Sequence, residues 1–394
     1  MFDLSALRPA LRCGPASRRP RHLGALIGAA GAFALLAVFP LSASASSDVF
    51  AYAPNENNST ISQFQVGSGG VLTPLSPPSL PTVSYVTGYQ NGATISADGG
   101  SLYMPDFTGI EQYTIGSDGT LTPKSTPWIP SGTLLDCGCT SEGTAVAQAV
   151  AVSPNGKYVY VGNDDGPGDI SEYSVGADGS LSPLSGTDNF TTGIDDTIGL
   201  TISANGKYLY SNNPGEIVQM KIARNGQLSY NPAGSTAGVY FDGLTGSVVL
   251  SPNGRSAYVP AFNTIQEMTV SGKGTLSPAG PGYVTFTSGG GTHEGIAMSS
   301  DGRILWATDP VNNTITRLVV AADGTVTPTK FVLPTTGTGP DSITVSSDGT
   351  TVYVMNGSGG SAISVYSVGA HDQLTPEASP TIPNEFPVTL VLAP

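Results

Sequence analysis

The stretch Ser-Pro-Asn-Gly-Lys-Tyr-Val-Tyr-Val-Gly-Asn, residues 153–163, decides the fold, because its central features recur along the chain. The recurring part is Ser-x-Asp/Asn-Gly, followed four residues after the glycine by an aromatic residue. The six copies pair Ser96 with Tyr103, Ser153 with Tyr160, Ser203 with Tyr210, Ser251 with Tyr258, Ser299 with Trp306, and Ser346 with Tyr353. A period of roughly 40 to 50 residues built from turn and strand signals is typical of propellers and solenoids.

Each repeat carries signals for four strands. An apolar segment such as 248–250 precedes the turn, and the aromatic strand, such as 157–161, follows it. The third strand contains Ile-x-x-hydrophobic, which occurs seven times. A glycine turn then leads into a short strand that ends in proline, as in 179–183, and this proline predicts a position at the sheet edge. Four such strands per unit are the pattern of a propeller blade.

The number of copies predicts a ring closed by the C-terminus. The second and third strands occur seven times, whereas the inner strand with its turn occurs only six times internally. Residues 390–392 read like residues 248–250, so we expect them to supply the missing inner strand beside Phe50 and Tyr52. This pairing removes two open sheet edges. The prediction is an all-β, seven-bladed β-propeller with four-stranded antiparallel blades over residues 46–394.

The first 45 residues predict a signal peptide. Five arginines precede an apolar run, residues 23–41, and Ala43-Ser44-Ala45 is the small-x-small pattern after which signal peptidase cuts. An uncleaved membrane anchor is the alternative, because the run is nearly long enough to span a bilayer. Pro40 and the Ser/Ala stretch after it favour cleavage after about Ala45. We therefore expect a secreted or cell-surface protein without stable membrane insertion.

The charge of the remaining chain restricts its partners. Without the first 45 residues, 10 Lys and Arg face 28 Asp and Glu, a net charge of −18. Such a surface repels nucleic acid and anionic lipid. No linker or change in composition divides residues 46–394, which indicates a single domain. We expect a monomer that binds a small molecule, a glycan or a protein.

Residues 153–163, followed by Ile-Ser-Glu-Tyr-Ser-Val (170–175) and Gly-Ser-Leu-Ser-Pro (179–183), resemble the lactonase family of seven-bladed propellers. This family includes 6-phosphogluconolactonase-like proteins, fungal muconate-lactonizing enzymes and secreted members with Tyr-Val-x-Asn repeats. The resemblance covers essentially the whole chain after residue 45. The matching residues belong to turns and core, so they indicate the fold better than the activity.

The resemblance also implies where a catalytic site would lie. Enzymatic members carry Gly-Pro-Arg-His at the entrance to an inner strand, where it offers a cation and an imidazole to a charged lactone. Here Gly-Pro survives once, as Gly339-Pro340, with Asp341-Ser342 after it. A phosphorylated substrate would therefore find no obvious cationic clamp.

Three functions remain open. The favoured hypothesis is a binding or surface module with a polar, acidic channel mouth. The second is a lactone or ester hydrolase of altered specificity, and the third is a structural cell-envelope protein. None of the three requires a cofactor.

His293 and Glu294 are the candidate catalytic residues. A neutral imidazole at a channel mouth can act as a general base on water, with the carboxylate holding its tautomer. The alternative is an exposed or hydrogen-bonded loop histidine, which is favoured because no nucleophile or oxyanion donor can be assigned.

Acidic and amide residues gather where inner strands begin and second strands end. The candidate ligand-binding residues are Asp106, Asn163, Asp164, Asp196, Asn212, Asp242, Asp309 and Asp341. Such oxygen ligands could hold Ca²⁺. Asn and Asp that cap loops are the alternative, and it is favoured because no spacing here matches a calcium loop.

Cys137 and Cys139 lie in the longest interval between repeats. In an exported protein, two nearby thiols predict a loop disulfide. Half of a metal site is the alternative, although no matching Cys/His pair accompanies it.

Overall fold

The structure, a computed structural model, describes residues 49–56, 58–83, 92–106, 109–131, 146–164, 169–184, 190–191, 197, 199–213, 216–231, 236–237, 246–261, 264–285, 295–335, 337–358, 363–377 and 386–394. All of them lie within the unit Ala45–Pro394. The predicted signal peptide, residues 1–45, and the predicted disulfide between Cys137 and Cys139 lie outside the described residues, so both stay predictions.

Among the described residues, thirty strands form seven antiparallel sheets. The strands of the first four blades are β1 (Phe50–Asn55), β2 (Thr60–Val66) and β3 (Leu72–Pro81); β4 (Thr94–Ile95), β5 (Ser101–Pro105), β6 (Gly109–Ile115) and β7 (Leu121–Pro130); β8 (Val146–Val152), β9 (Tyr158–Asp164), β10 (Asp169–Val175), β11 (Leu181–Pro183) and β12 (Phe190–Thr191); and β13 (Gly199–Ile202), β14 (Tyr208–Asn213), β15 (Glu216–Ile222), β16 (Leu228–Tyr230) and β17 (Thr236–Ala237).

The last three blades and the closing strand complete the set. They contain β18 (Val249–Leu250), β19 (Ser256–Ala261), β20 (Thr264–Val270) and β21 (Leu276–Thr285); β22 (Ile296–Met298), β23 (Ile304–Asp309), β24 (Thr314–Val320) and β25 (Val326–Pro334); β26 (Thr338–Val345), β27 (Thr351–Ser358), β28 (Ile363–Val368) and β29 (Leu374–Pro376); and β30 (Val391–Ala393). The described ranges also contain two short 3₁₀ helices, Ser68–Gly70 and Ala370–Asp372, which lie before the outer strands of blades 1 and 7.

Every blade has the strand order predicted from the repeats. Inner, second, third and outer strands are neighbours in sequence order in blades 2 to 7, and the outer strand is split in two in blades 3 and 4. Blade 1 has the order β3-β2-β1-β30, so its inner strand comes from the C-terminus. In that pairing Phe50 lies opposite Ala393 and Tyr52 opposite Val391. Both the seven blades and the closure of the ring are confirmed.

The repeated Ser-x-Asp/Asn-Gly turn connects inner and second strands through one local network. In blade 3, Ser153 Oγ donates to Asn155 Oδ1 over 2.7 Å, and the Gly156 amide donates to the Ser153 carbonyl. Gly156 has a φ of 69°, in the left-handed region that favours glycine. The other five copies repeat the side-chain bond, with Ser96, Ser203, Ser251, Ser299 and Ser346 as donors.

The core lies between blades. Seven hydrophobic clusters each combine side chains of two neighbouring blades, as when Tyr210 and Ile217 of blade 4 pack with Val259 and Met268 of blade 5. The repeated aromatic residues have no exposed surface, so they belong to this core. Burial of this much apolar surface between blades is the main favourable term that holds the ring together.

The buried tyrosines also form a hydrogen bond from each blade to the next. Each hydroxyl donates to the carbonyl of the glycine in the turn before the next outer strand. The pairs are Tyr52 with Gly119 (2.7 Å), Tyr103 with Gly179 (2.6 Å), Tyr160 with Gly226 (2.7 Å), Tyr210 with Gly274 (2.7 Å), Tyr258 with Gly324 (2.8 Å) and Tyr353 with Gly70 (2.9 Å). Burial raises the pKa of Tyr210 to about 12, so these hydroxyls remain donors at neutral pH.

The junction between blades 6 and 7 departs from this rule. Trp306 replaces the tyrosine, and its buried Nε1 has no hydrogen-bond partner among the described residues. The facing turn has His371 and Asp372, both with positive φ, where blade 1 has Gly69 and Gly70. This junction is therefore bonded differently from the six that use a tyrosine.

A second link runs from the third strand of one blade to the outer strand of the next. Gln63 Oε1 accepts the Leu121 amide over 2.6 Å, and Gln112 Oε1 accepts the Leu181 amide over 2.8 Å. Two carboxylates make the same link in other blades. Glu172 accepts a hydrogen bond from the Leu228 amide, and Glu267 accepts one from the Val326 amide. Glutamine and glutamate therefore occupy the same position in different blades, so exchanging one for the other tests the effect of a buried charge there.

Replacing Glu267 by glutamine is expected to stabilise the protein at pH 8 and to have no effect near pH 4. Burial raises the pKa of Glu267 and outweighs the backbone hydrogen bond that lowers it. A carboxyl with a raised pKa stabilises the fold below its ordinary pKa and loses that contribution as the pH rises through the folded-state pKa. Its Oε2 is buried without a partner in the described part of the chain.

A gain of about 1 to 3 kcal/mol at pH 8 is expected from urea unfolding of E267Q, because the neutral amide does not carry the desolvation penalty of a buried carboxylate. The control is E56Q at exposed Glu56, which should change stability at neither pH. If the free energies of unfolding of E267Q and the parent protein differ by the same amount from pH 4 to pH 8, the raised pKa assigned to Glu267 is wrong.

Candidate functional site

The inner strands surround a central channel that contains a cavity of about 260 Å³. Its wall comes from blades 5, 6, 7 and 1. The lining consists of Gly246, Ser247, Val249, Pro260, Gly295, Ile296, Ser342, Ile343, Thr344, Thr389, Leu390 and Val391. Most of these residues lie at the beginnings of inner strands, the face at which the sequence predicts a site.

The described wall of this cavity is uncharged and combines apolar side chains with hydroxyl groups. Four hydroxyl side chains line it, and none of the described lining residues is ionisable. Thr344 Oγ1 donates to the Leu390 carbonyl over 2.9 Å, and this bond ties blade 7 to the closing strand. The side-chain hydroxyls of Ser342 and Thr389 make no hydrogen bond within the part of the chain that the structure describes, so they can bind a ligand.

The hydroxyls follow a pattern that sequence reasoning missed. Ser247, Ser342 and Thr389 each come directly before the apolar part of an inner strand, as in Ser-Val-Val-Leu and Thr-Leu-Val-Leu. Blade 6 has Gly295 at the same position. A Cβ on Gly295 would lie 2.9 Å from the Asp341 carbonyl oxygen, so close approach of blade 7 requires a glycine there. Alignment of the inner strands alone would have found these positions.

A β-bulge places Asp341 where the resemblance implies an arginine. Pro340 pairs with Asn356 and Ser342 with Met355, so Asp341 is the extra residue in β26. Its carboxylate lies against Gly357, where an added Cβ would meet Oδ2 at 1.5 Å. The bulge presents Ser342 to the cavity and puts an acid, half-buried, beside the entrance.

Two of the predicted ligand-binding residues are fully buried and cap loops. Asp309 accepts hydrogen bonds from the amides of Val311 and Asn312 and from Asn312 Nδ2, the last over 2.7 Å. Asn163 Nδ2 donates to Asp169 Oδ1 over 2.6 Å. These contacts are those of the loop-capping alternative.

Two further predicted residues connect neighbouring elements. Asp106 is fully buried, and its Oδ1 accepts from Trp128 Nε1 over 3.2 Å. Asn212, also fully buried, donates through Nδ2 to the Gly246 carbonyl over 2.5 Å. Because Gly246 lines the cavity, Asn212 supports its wall without reaching a ligand itself.

The remaining predicted site residues lie beyond what is described. They are the catalytic pair His293 and Glu294, the acids Asp196 and Asp242, and the side chain of Asp164. The described residues contain no group of three or more His, Cys, Asp or Glu arranged to hold a metal ion. Binding of Ca²⁺ and the catalytic pair therefore both stay predictions.

Among the described residues, no helix is long and apolar enough to cross a membrane.

Known proteins resemble the chain in both sequence and fold. Residues 248–391 match the family model described as "Lactonase, 7-bladed beta-propeller". No curated protein matches the chain. A protein of Bacteroides uniformis provisionally described as a 6-phosphogluconolactonase has 19% identity and a TM-score of 0.70, over 88% of this chain and 100% of its own.

Two further solved structures show the same fold. One, from Bacteroides fragilis and also provisionally described as a 6-phosphogluconolactonase, has 18% identity and a TM-score of 0.69, over 89% of this chain and 99% of its own. The periplasmic gluconolactonase PpgL of Pseudomonas aeruginosa has 17% identity and a TM-score of 0.68, over 88% of this chain and 99% of its own. Together with the seven blades, these findings confirm the seven-bladed β-propeller fold and the resemblance of this chain to lactonase-family propellers.

Proposed function

We propose that this protein binds a small, uncharged, hydroxyl-bearing molecule in the central cavity and does not hydrolyse it. The observation that carries the proposal is the described cavity wall, which is uncharged and offers two uncommitted hydroxyls, those of Ser342 and Thr389. A volume of about 260 Å³ suits a molecule of roughly monosaccharide size. Hydroxyl groups and backbone of the wall can pair with the hydroxyls of such a ligand.

The acid at the entrance argues against a phosphorylated lactone. Similar proteins are described as 6-phosphogluconolactonases, whose substrate carries a phosphate. Here Asp341 stands where the family resemblance implies an arginine, and the carboxylate would repel that phosphate. A neutral ligand meets no such repulsion.

A lactone hydrolase of altered specificity is the second candidate. Two observations favour it, the likeness to a periplasmic gluconolactonase and the position of His293-Glu294 directly before Gly295, which lines the cavity. In that case His293 would act as the general base on a neutral lactone.

The deciding experiment combines calorimetric titration with a pH-stat assay. Purified protein would be titrated with neutral monosaccharides, δ-gluconolactone and 6-phosphogluconolactone. Saturable binding of a neutral compound, weakened in the double variant S342A/T389V, together with no hydrolysis above the uncatalysed rate, supports the proposal. The control is T94V, which removes a hydroxyl from the inner strand of blade 2, outside the cavity lining.

Lactone turnover that disappears in H293A would establish the hydrolase in place of the binding module. Absence of binding and of turnover for all compounds would refute both candidates.

We also propose that the protein works outside the cytoplasm. The signal-like residues 1–45 and the likeness to a periplasmic protein support this location. N-terminal sequencing of the protein from culture fractions tests it, with Ser46 as the expected first residue. A fully soluble extracellular product would argue against the structural cell-envelope alternative.

A further inference from the structure

A second cavity, of about 740 Å³, lies on the face opposite the channel entrance, where inner strands turn into second strands. We call it the turn-face groove. Its lining comes from the turns of blades 5 and 6, from β20 and β24, and from Asp372 of blade 7. The volume falls in the range of small-molecule sites.

Arginines are concentrated in this groove. Residues 46–394 contain four arginines, and three of them, Arg255, Arg303 and Arg317, line it. Arg255 and Arg303 occupy the same position in adjacent blades, directly after the Ser-x-Asp/Asn-Gly turn. In a chain with net charge −18 after residue 45, this clustering sets the groove apart from the rest of the protein.

The positive groups of the groove are largely uncommitted. Arg255 makes no ion pair with any residue that the structure describes. Arg303 Nε lies 3.8 Å from Asp301 Oδ2, and both side chains are more than half exposed, so this pair contributes little. The guanidinium groups of Arg255 and Arg303 can therefore accept a ligand.

The acids of the groove are committed to their own turns. Asp323 Oδ1 accepts from the Thr325 amide over 3.0 Å and from Thr325 Oγ1 over 2.7 Å. Asp301 Oδ1 accepts from Ser299 Oγ and from the Arg303 amide. These bonds hold Oδ1 of each acid in its own turn. Because the groove is lined by three arginines and three aspartates, recognition of a ligand there rests on the guanidinium groups and not on a net positive charge.

Arg317, which is far less exposed than Arg303, pairs with an acid of the neighbouring blade. Its Nη2 lies 3.5 Å from Asp372 Oδ2, while its buried Nε has no partner among the described residues. The position belongs to the series of Gln63, Gln112 and Glu172, so blade 6 has a cation where blades 1 to 5 have an amide or an acid. A carboxylate in the groove would compete with Asp372 for this guanidinium.

We propose that the turn-face groove binds a small organic dicarboxylate, with one carboxylate on Arg255 and the other between Arg303 and Arg317. Guanidinium groups match planar carboxylates through two parallel hydrogen bonds. Val319, which is 39% exposed and lines the groove, offers an apolar wall to the carbon chain between the two carboxylates. Inorganic anions lack that chain and bind more weakly.

The test is calorimetric and NMR titration of the purified protein with glutarate, citrate, inorganic phosphate and the dimethyl ester of glutarate. One saturable glutarate site, with weaker binding of phosphate and none of the ester, is expected. The double variant R255A/R303A should weaken glutarate binding about tenfold or more, since hydrogen bonds to charged groups are the strong ones. D372N should tighten it, because Arg317 loses its competing partner.

The matched control is K157A/K207A, which removes two cations from the same turn positions in blades 3 and 4. It should leave glutarate binding unchanged while altering net charge as R255A/R303A does. Equal weakening in both double variants, equal affinity for the ester, or no saturable binding of any probe would overturn the proposal.

Discussion

Deleting residues 386–394 is expected to unfold the protein or to cost about 5 kcal/mol or more of stability. This segment supplies the inner strand of blade 1, in which the Val49 amide donates to the Ala393 carbonyl over 2.8 Å. It also covers Ala51 and Tyr52, neither of which has exposed surface in the intact ring. The deletion opens β1 to water and leaves its edge unpaired, which favours aggregation.

Thermal unfolding and size-exclusion chromatography measure the effect. Deletion of exposed Pro394 alone is the control, because it leaves β30 intact and should change the melting temperature little. A protein without residues 386–394 that stays monomeric and melts as the parent does would show that the ring does not depend on this closure.

Replacing Gly226 by alanine is expected to destabilise the protein by about 4 kcal/mol or more, the range of large steric effects in a core. Gly226 has a φ of 88°, and an added Cβ would lie 2.3 Å from the ring of Tyr158. Relief of that overlap must move the turn, and the Gly226 carbonyl is the acceptor of the Tyr160 hydroxyl. Strain, steric overlap and loss of the link between blades 3 and 4 therefore act together.

Gly254 is the matched control for the backbone term. Its φ is 65°, yet nothing lies within 4 Å of an added Cβ. G254A should therefore cost only about 1 to 2 kcal/mol, the price of a left-handed conformation for alanine. Urea unfolding of both variants separates the backbone strain from the steric overlap with Tyr158. Equal losses of unfolding free energy in G226A and G254A would show that the overlap contributes nothing.

The parts of the fold that sequence reasoning predicted correctly are those with a local physical cause. Ser153, Asn155 and Gly156 form a turn from their own side chains and backbone, so the motif specifies the same geometry wherever it occurs. Because the first repeat lacks an inner strand, the sequence predicted that a C-terminal segment supplies that strand. Only its bounds shifted by one residue, from the expected 390–392 to Val391–Ala393.

The candidate site was harder to predict, because the direction and the burial of a side chain depend on distant parts of the chain. Asp309 and Asn163 lie at the predicted ends of second strands, yet they turn toward their own loops. Nothing in the sequence near either residue distinguishes a capping carboxylate or amide from a ligand-binding one. Ser342 and Thr389 meet in one cavity only because the ring brings blade 7 and the C-terminus together.

The closing strand also determines when this protein can finish folding. Phe50 and Ala393 are partners across one small sheet, and Tyr353 bonds to Gly70, 283 residues away in sequence. Contacts between such distant positions form slowly, because loop entropy must be lost before they are made. During synthesis the first blade therefore has no inner strand, and an open edge along β1, until residues 391–393 have left the ribosome.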